Sequence, residues 1–221
     1  MQTLPKVLLI HRSTLICEVL RESLEQREYE VVSYATSGED AFKKSTKYKP
    51  DVIIVSNSIT DYSGLEIVNK LNRESFKGSF IFLSQNAKDA RQVFQKLNVS
   101  GHIHTFDGMS ELFFALQEIR AGRQYTSQSV KKEINKSYKE EIGELEMDTS
   151  VLKSLTPREL QIMQALSDSN TTPQIAKQFL ISPATVNNHR ANIMQKLNLR
   201  GRNQLIGVAI SLKPFYDSDA A

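Results

Sequence analysis

One stretch of the chain carries side chains suited to reading a nucleic acid. From Pro183 to Leu197 apolar residues recur at helical spacing, with Val186, Ile193, Met194 and Leu197 on one stripe. The other face shows Thr185, Asn187, Asn188, Arg190, Ala191 and Asn192. Small and amide side chains on a helix suit the major groove, where Asn pairs bidentately with adenine. Elsewhere no nucleophile–base pairing, metal-ligand cluster or phosphate-cradling glycine loop stands out, so the sequence predicts no enzyme, no cofactor and no metal. The single cysteine, Cys17, excludes an internal disulfide and a cysteine-based zinc site.

Such a helix needs partners to hold it. Three helix starts share a Thr or Ser cap followed by proline: Thr156-Pro157, Thr172-Pro173 and Ser182-Pro183. Glu159 completes a capping box with Thr156. The spacing predicts helices over about 173–179 and 183–197, joined by a turn of about three residues, which is a helix-turn-helix. A fourth helix is predicted over about 202–212. Charge supports a nucleic-acid partner. Residues 151–213 carry 8 Lys and Arg against 2 Asp and Glu, whereas residues 1–125 carry 16 against 15.

Those first 125 residues alternate short apolar runs, such as Val7–Ile10, Val52–Val55 and Phe80–Leu83, with segments of helical spacing. In the first helical segment Leu15, Ile16, Val19, Leu20 and Leu24 form the apolar stripe. Five strands alternating with five helices predict an open parallel sheet covered on both faces. Ligands in such sheets bind beyond the carboxyl ends of the strands. Residues 126–150 are charged, of mixed sign and poor in large apolar groups, and are read as a linker, with a partly helical linker as an option. Ile134, Tyr138, Ile142 and Leu145 within it fall near heptad spacing over little more than one heptad. The domains are therefore placed at 1–125, 126–150 (linker) and 151–214, with a tail at 215–221. No apolar run approaches the roughly 20 residues of a membrane helix, and the first residues are too weakly apolar for a signal peptide, so a cytoplasmic protein is predicted.

The stretch Leu155–Ile210 resembles the LuxR-type (NarL/FixJ) helix-turn-helix. The resemblance rests on Leu-Thr-Pro-Arg-Glu at 155–159, Ile175-Ala176, Ile181-Ser182, Thr185-Val186, His189-Arg190, Asn192-Ile193, Lys196-Leu197 and Arg202. It implies that Asn187, Asn188 and Ala191 face bases. Ser182, Thr185, Arg190 and Lys196 would meet phosphates, which orient without specifying. It also implies pairing of two subunits through the fourth helix on a two-fold DNA site. The chain departs from the family where Asn187 replaces a usual Lys and Ser169 a usual Gly. The first change predicts a shallower salt dependence. The second places a serine where a left-handed residue is needed.

Residues 5–123 resemble a response-regulator receiver, through the order of elements and the segment PDVIIVSNSITDYSGLEIV at 50–68. The implied fold is α/β plus all-α: a flavodoxin-like, doubly wound (βα)5 domain followed by a small four-helix DNA-binding domain. The family holds Mg²⁺ with two acids after the first strand and one after the third, the last accepting phosphate. Ser/Thr and Lys follow the fourth and fifth strands. Here His11 and Arg12 stand at the acid pair, Ser56 at the acceptor, Ser84 at the Ser/Thr and Thr105 at the Lys. His102 takes the place of the fifth-strand aromatic. These residues form a degenerate receiver pocket, cationic and rich in hydroxyls, in which Arg12 is expected to fill the metal position and hydrogen-bond Ser56. Asp51 and Asp61 are too displaced to substitute. The reading is a transcription regulator, homodimeric on double-stranded DNA, that does not depend on Asp phosphorylation. The alternatives are a DNA-binding switch gated by a small anion or metabolite, and an interaction protein that binds a signalling partner.

Overall fold

The computed structural model describes residues 4–97, 99–142, 152, 154–199 and 202–213. It divides into two units, Met1–Val130 and Lys131–Ala221. In the first, five strands alternate with five helices: β1 Lys6–Ile10, α1 Thr14–Glu25, β2 Glu30–Ala35, α2 Gly38–Tyr48, β3 Val52–Ser56, α3 Gly64–Arg73, β4 Ser79–Ser84, α4 Ala87–Lys96, β5 Gly101–His104 and α5 Met109–Arg120. A two-residue strand, β6 Tyr125–Thr126, adds a sixth position that the sequence reading did not place.

All neighbours pair in parallel, in the order β2-β1-β3-β4-β5-β6. Side chains alternate across each strand. Val7, Leu9, Ile54, Ile81 and Ile103 enter one core with Leu20, Leu24, Leu112 and Leu116. Leu8, Ile10, Ile53, Val55, Phe80 and Phe82 enter the other with Ala41, Ile67, Val68 and Val93. A sheet buried on both faces explains the continuous apolar runs. The α1 stripe needs correction. Leu20 and Leu24 are buried with Cys17, but Leu15, Ile16 and Val19 are 69%, 42% and 53% exposed. Helical spacing marked a stripe wider than the surface α1 turns to the sheet.

The strand order reverses at β1 and β3, so their carboxyl ends flank the switch point of the sheet. Close packing there requires glycine at residue 64: a Cβ would sit 2.3 Å from the Ser56 carbonyl oxygen.

The predicted linker is largely a helix, α6 Gln128–Ile142. Val130, Ile134 and Tyr138 are fully buried, one helical turn apart. The charged residues between them made the segment read as solvated. Ile134 and Tyr138 are thus core residues of their own chain, not a coiled-coil seam, while the Ile142 side chain and Leu145 lie outside the described residues.

The second unit continues with α7 Pro157–Ser167, α8 Thr172–Gln178, α9 Pro183–Lys196 and α10 Arg202–Ser211. The capping box of Thr156 and Glu159 is present. The cap of α8 lies one residue earlier than predicted: Thr171, not Thr172, accepts from Gln174 N–H and completes a box with the Gln174 side chain. Proline thereby falls at the second helical position. Helices α7, α8 and α9 end alike. The residue after each C-cap turns left-handed, at Ser169 (φ 55°), Leu180 (φ 54°) and Asn198 (φ 51°). Paired bonds close each end, as in Ile181 N–H to Ala176 O at 3.0 Å and Leu180 N–H to Lys177 O at 3.3 Å. This is the Schellman arrangement, usually built on glycine. Ser169 is fully buried, and its hydroxyl donates to Asn135 Oδ1 of α6.

Candidate DNA interface and strand-end pocket

Ser182 fixes the start of α9. Its Oγ accepts from Thr185 N–H at 3.0 Å and lies 2.8 Å from Thr185 Oγ1. One face of α9 is buried through Val186, Arg190 and Ile193. Asn187, Asn188, Ala191, Asn192, Gln195 and Lys196 are exposed, so the three base-facing candidates share an accessible surface with Ser182 beside them. His189 is half-buried.

The two cations assigned to phosphate both have partners within the unit, Arg190 buried and Lys196 at the surface. Arg190 is only 8% exposed, and its Nη1 donates to Thr172 Oγ1 at 2.9 Å, joining α9 to the start of α8. Lys196 Nζ lies 2.6 Å from Glu159 Oε2. That same oxygen accepts from Thr156 N–H at 2.7 Å. Burial pushes the Glu159 carboxyl up, but Lys196 and the Thr156 donors outweigh it and hold the group below its ordinary value. Sequence reasoning saw two surface cations because helical spacing does not show which partners lie across a helix packing. It passed over Lys177, which stands exposed in the last turn of α8. Its position just before the predicted turn was the available signal.

Two roles stand open for the fourth helix, α10: closing the domain core through Leu205 and Ile206, and, by the resemblance, pairing subunits. Every residue from Leu205 to Ile210 is buried within the chain, so these side chains close its own core.

In the first unit, His11 and Arg12 follow β1, Ser56 ends β3, Ser84 ends β4 and Thr105 follows β5. The five reach the same end of the sheet, but they differ in access. Ser56 and Ser84 are fully buried, His11 nearly so, and Arg12 and Thr105 are exposed. The expected Arg12–Ser56 bond is not formed: Ser56 Oγ is buried without a hydrogen-bond partner. The exposed guanidinium keeps its hydration, which a lone buried hydroxyl does not replace.

Ser84 is bound instead to His102, Oγ to Nε2 at 2.6 Å. Burial, with a smaller electrostatic contribution from the neighbouring His104, lowers the His102 pKa to about 3, so the ring is neutral at pH 7. His11 Nδ1 accepts from Ser13 N–H at 3.0 Å, and burial lowers its pKa. His104 Nδ1 accepts from Phe106 N–H in the same geometry, also at 3.0 Å. His11, His104, Thr105 and Asp107 line a cavity of about 130 Å³ floored by Leu83, Ile103 and Leu112. His104 and Asp107 were not foreseen, because alternation alone does not single out the end of a four-residue strand.

The displaced acids have structural partners. Asp61 accepts from Gly38 N–H at 2.5 Å and Glu39 N–H at 3.1 Å, the first of these bonds doing most to hold its carboxyl below the usual range. Asp51 accepts from Lys6 N–H. A third acid escaped the sequence reading. Asp89, 8% exposed, accepts from Asn57 Nδ2 at 2.8 Å, one residue beyond Ser56. The Asn86-x-x-Asp89 helix start was its signal.

Comparison with known proteins decides the family. Residues 7–117 match the response regulator receiver domain, and residues 153–209 match bacterial regulatory proteins of the luxR family. The chain belongs to the response-regulator family. Its receiver and luxR-type domains occur in the NarL/FixJ order. It is 29% identical over 196 residues to the oxygen regulatory protein NreC of Staphylococcus epidermidis, covering 85% of this chain and 88% of that protein. It is 28% identical over 206 residues to the response regulator UvrY of Escherichia coli, covering 92% and 93%. In fold this response regulator resembles RcsB of Salmonella typhimurium, with a TM-score of 0.59 at 20% identity over 94% of this chain and 98% of that one. The RcsB–DNA complex gives 0.55 at 19% identity over 98% and 99%.

Proposed function

We propose that this response regulator is a sequence-specific DNA-binding transcription regulator, a homodimer acting in the cytoplasm, whose receiver-like domain works without aspartyl phosphorylation. The carrying observation is the exposed face of α9, where Asn187, Asn188 and Ala191 stand together behind the Ser182 cap. Asn187 and Asn188 read adenine edges, Ala191 packs on a base, and Ser182 and Thr185 orient the helix on phosphates. Lys177 joins them as the exposed cation of α8, while Arg190 and Lys196 hold α9 in place through Thr172 and Glu159. The homodimer reading is supported by a solved assembly of two RcsB dimers on two parallel DNAs.

Independence from phosphate rests on the donor set. An acyl phosphate forms on a carboxylate, and Mg²⁺ is held by anionic oxygens. The corresponding positions here offer an imidazole, a guanidinium and a hydroxyl, at His11, Arg12 and Ser56. That set does not fit a hard dication, and Arg12 repels one. Incubation with acetyl phosphate and Mg²⁺ should leave the intact mass unchanged, while the unmodified protein enriches specific fragments from genomic DNA. A stable gain of about 80 Da, one phosphoryl group, would overturn the phosphate-independent reading. Absence of any sequence preference would overturn the regulator reading.

The cavity beside His11, His104 and Thr105 favours a second reading, a switch in which a small anion or metabolite binds there and gates DNA binding. A ligand specific to the folded state raises the melting temperature, so a thermal-shift series of metabolite anions tests it.

A further inference from the structure

Leu180 combines two unfavourable features. It is 93% exposed, the most exposed large apolar side chain among the described residues. It also has φ of 54°. Among the described residues, six other than glycine share positive φ: Glu28, Lys49, Ser75, Ser169, Leu180 and Asn198. Leu180 alone among them is apolar. Asn takes this conformation readily, through local hydrogen bonds that Leu does not make. The Ser169 hydroxyl finds a partner in Asn135. Leu180 gains neither compensation, and the apolar contact that usually closes a Schellman end falls to the following residue, Ile181.

The turn is firmly built around it. The Arg158 guanidinium lies 4.5 Å from the Phe179 ring centroid, and its Nη2 donates to the Phe179 carbonyl at 3.1 Å. Ile181 and Leu180 N–H groups close the end of α8. Leu180 is thus held out on a fixed turn, two residues before the cap of α9. Beyond the half-buried Ile181, exposure resumes at Ser182, Pro183 and Ala184. Strain retained at one surface position points to a use for that side chain.

We propose that Leu180 is a further contact to DNA, packing its isobutyl group on an apolar surface of the duplex beside α9. This rests on the DNA-reading assignment of α9. A helix that enters the groove by its N-terminal end brings the preceding turn against the same duplex. DNA offers an apolar partner there as a thymine 5-methyl group or a deoxyribose C–H face. The charge inventory favours this occupant. With Arg190 buried against Thr172 and Lys196 paired with Glu159, fewer free cations face DNA, and non-ionic contact carries more of the binding.

The test compares the full chain with Leu180→Gly and Leu180→Asn, both suited to the left-handed turn. The probe is the genomic fragment that the unaltered chain enriches most, made with thymine or with uracil throughout. Both variants should melt at or above the temperature of the parent. On the thymine fragment both should bind about tenfold more weakly, the effect of losing one buried Leu contact, with an unchanged salt slope. If the partner is a methyl group, uracil DNA costs the parent more affinity than it costs the variants, so the deficit of the variants shrinks on it. If it is deoxyribose, thymine and uracil copies bind alike and the deficit persists on both. Equal affinity of parent and variants, or a lower melting temperature in both variants, overturns the proposal while leaving the regulator reading intact. If the parent binds no DNA, both fall together.

Discussion

Lys196 and Glu159 meet at 2.6 Å across the packing of α9 on the start of α7, and the shared carboxylate also caps α7 through Thr156. One acid thereby sets both a helix end and the seat of the recognition helix. Glu159→Gln should destabilise the second unit by roughly 1 kcal/mol: glutamine still completes the capping box, as Gln174 does on α8, but the bond to Lys196 loses its charge. The depressed Glu159 pKa fixes the sign of the pH dependence. Its contribution is complete above the unfolded value near 4.5 and is lost as pH falls through the lower folded value. Thermal melts of parent and variant from pH 7 to pH 3 check this, and the two curves should converge in acid.

Arg190 should behave as a structural residue. Arg190→Ala removes a buried guanidinium from Thr172 and is expected to cost about 2–4 kcal/mol. At a temperature where the variant is folded, the slope of log affinity against log salt should match the parent. A phosphate contact would lower that slope by about one. Lys177→Ala is the contrasting variant and should lower it.

His102 makes the first unit sensitive to acid. Its pKa is about 3 when folded against 6.5 for an ordinary histidine. The unfolded chain therefore binds the extra proton between these values, and stability falls as pH drops from about 6.5 toward 3. The slope from this residue approaches about 1.4 kcal/mol per pH unit. Denaturant titrations at pH 7.5 and pH 5 should differ more for the parent than for His102→Phe.

Helix α6 should stabilise the second unit. Ile134→Ala and Tyr138→Ala each empty a fully buried site, with an expected loss of about 2–5 kcal/mol. Limited proteolysis would show cleavage in residues 131–213 at a lower temperature than in the parent. A solvated linker would be indifferent to both changes.

Much of this was legible beforehand because the signals are local. The strand runs, the Thr156–Glu159 box and the Ser182 cap depend on residues within a few positions of each other. The resemblance located Ser56 and His11 correctly at strand ends. What escaped depends on contacts distant in sequence. Nothing local shows Arg190 meeting Thr172, Lys196 meeting Glu159 across 37 residues, or Asn57 meeting Asp89. The burial of helix α6 was masked by its own composition, since three buried residues one turn apart lie among lysines and glutamates.

The two-residue strand β6 has a consequence out of proportion to its size. Gly101 and His102 of β5 pair with Tyr125 and Thr126, and Ser127 N–H continues the ladder to His102 O. Without that cover, the outer N–H and C=O groups of β5 form an open template for another chain. A receiver fragment ending at Arg123 would retain both cores yet gain an adhesive margin. Self-association of such a fragment would then report where it was cut and carry no information about signalling.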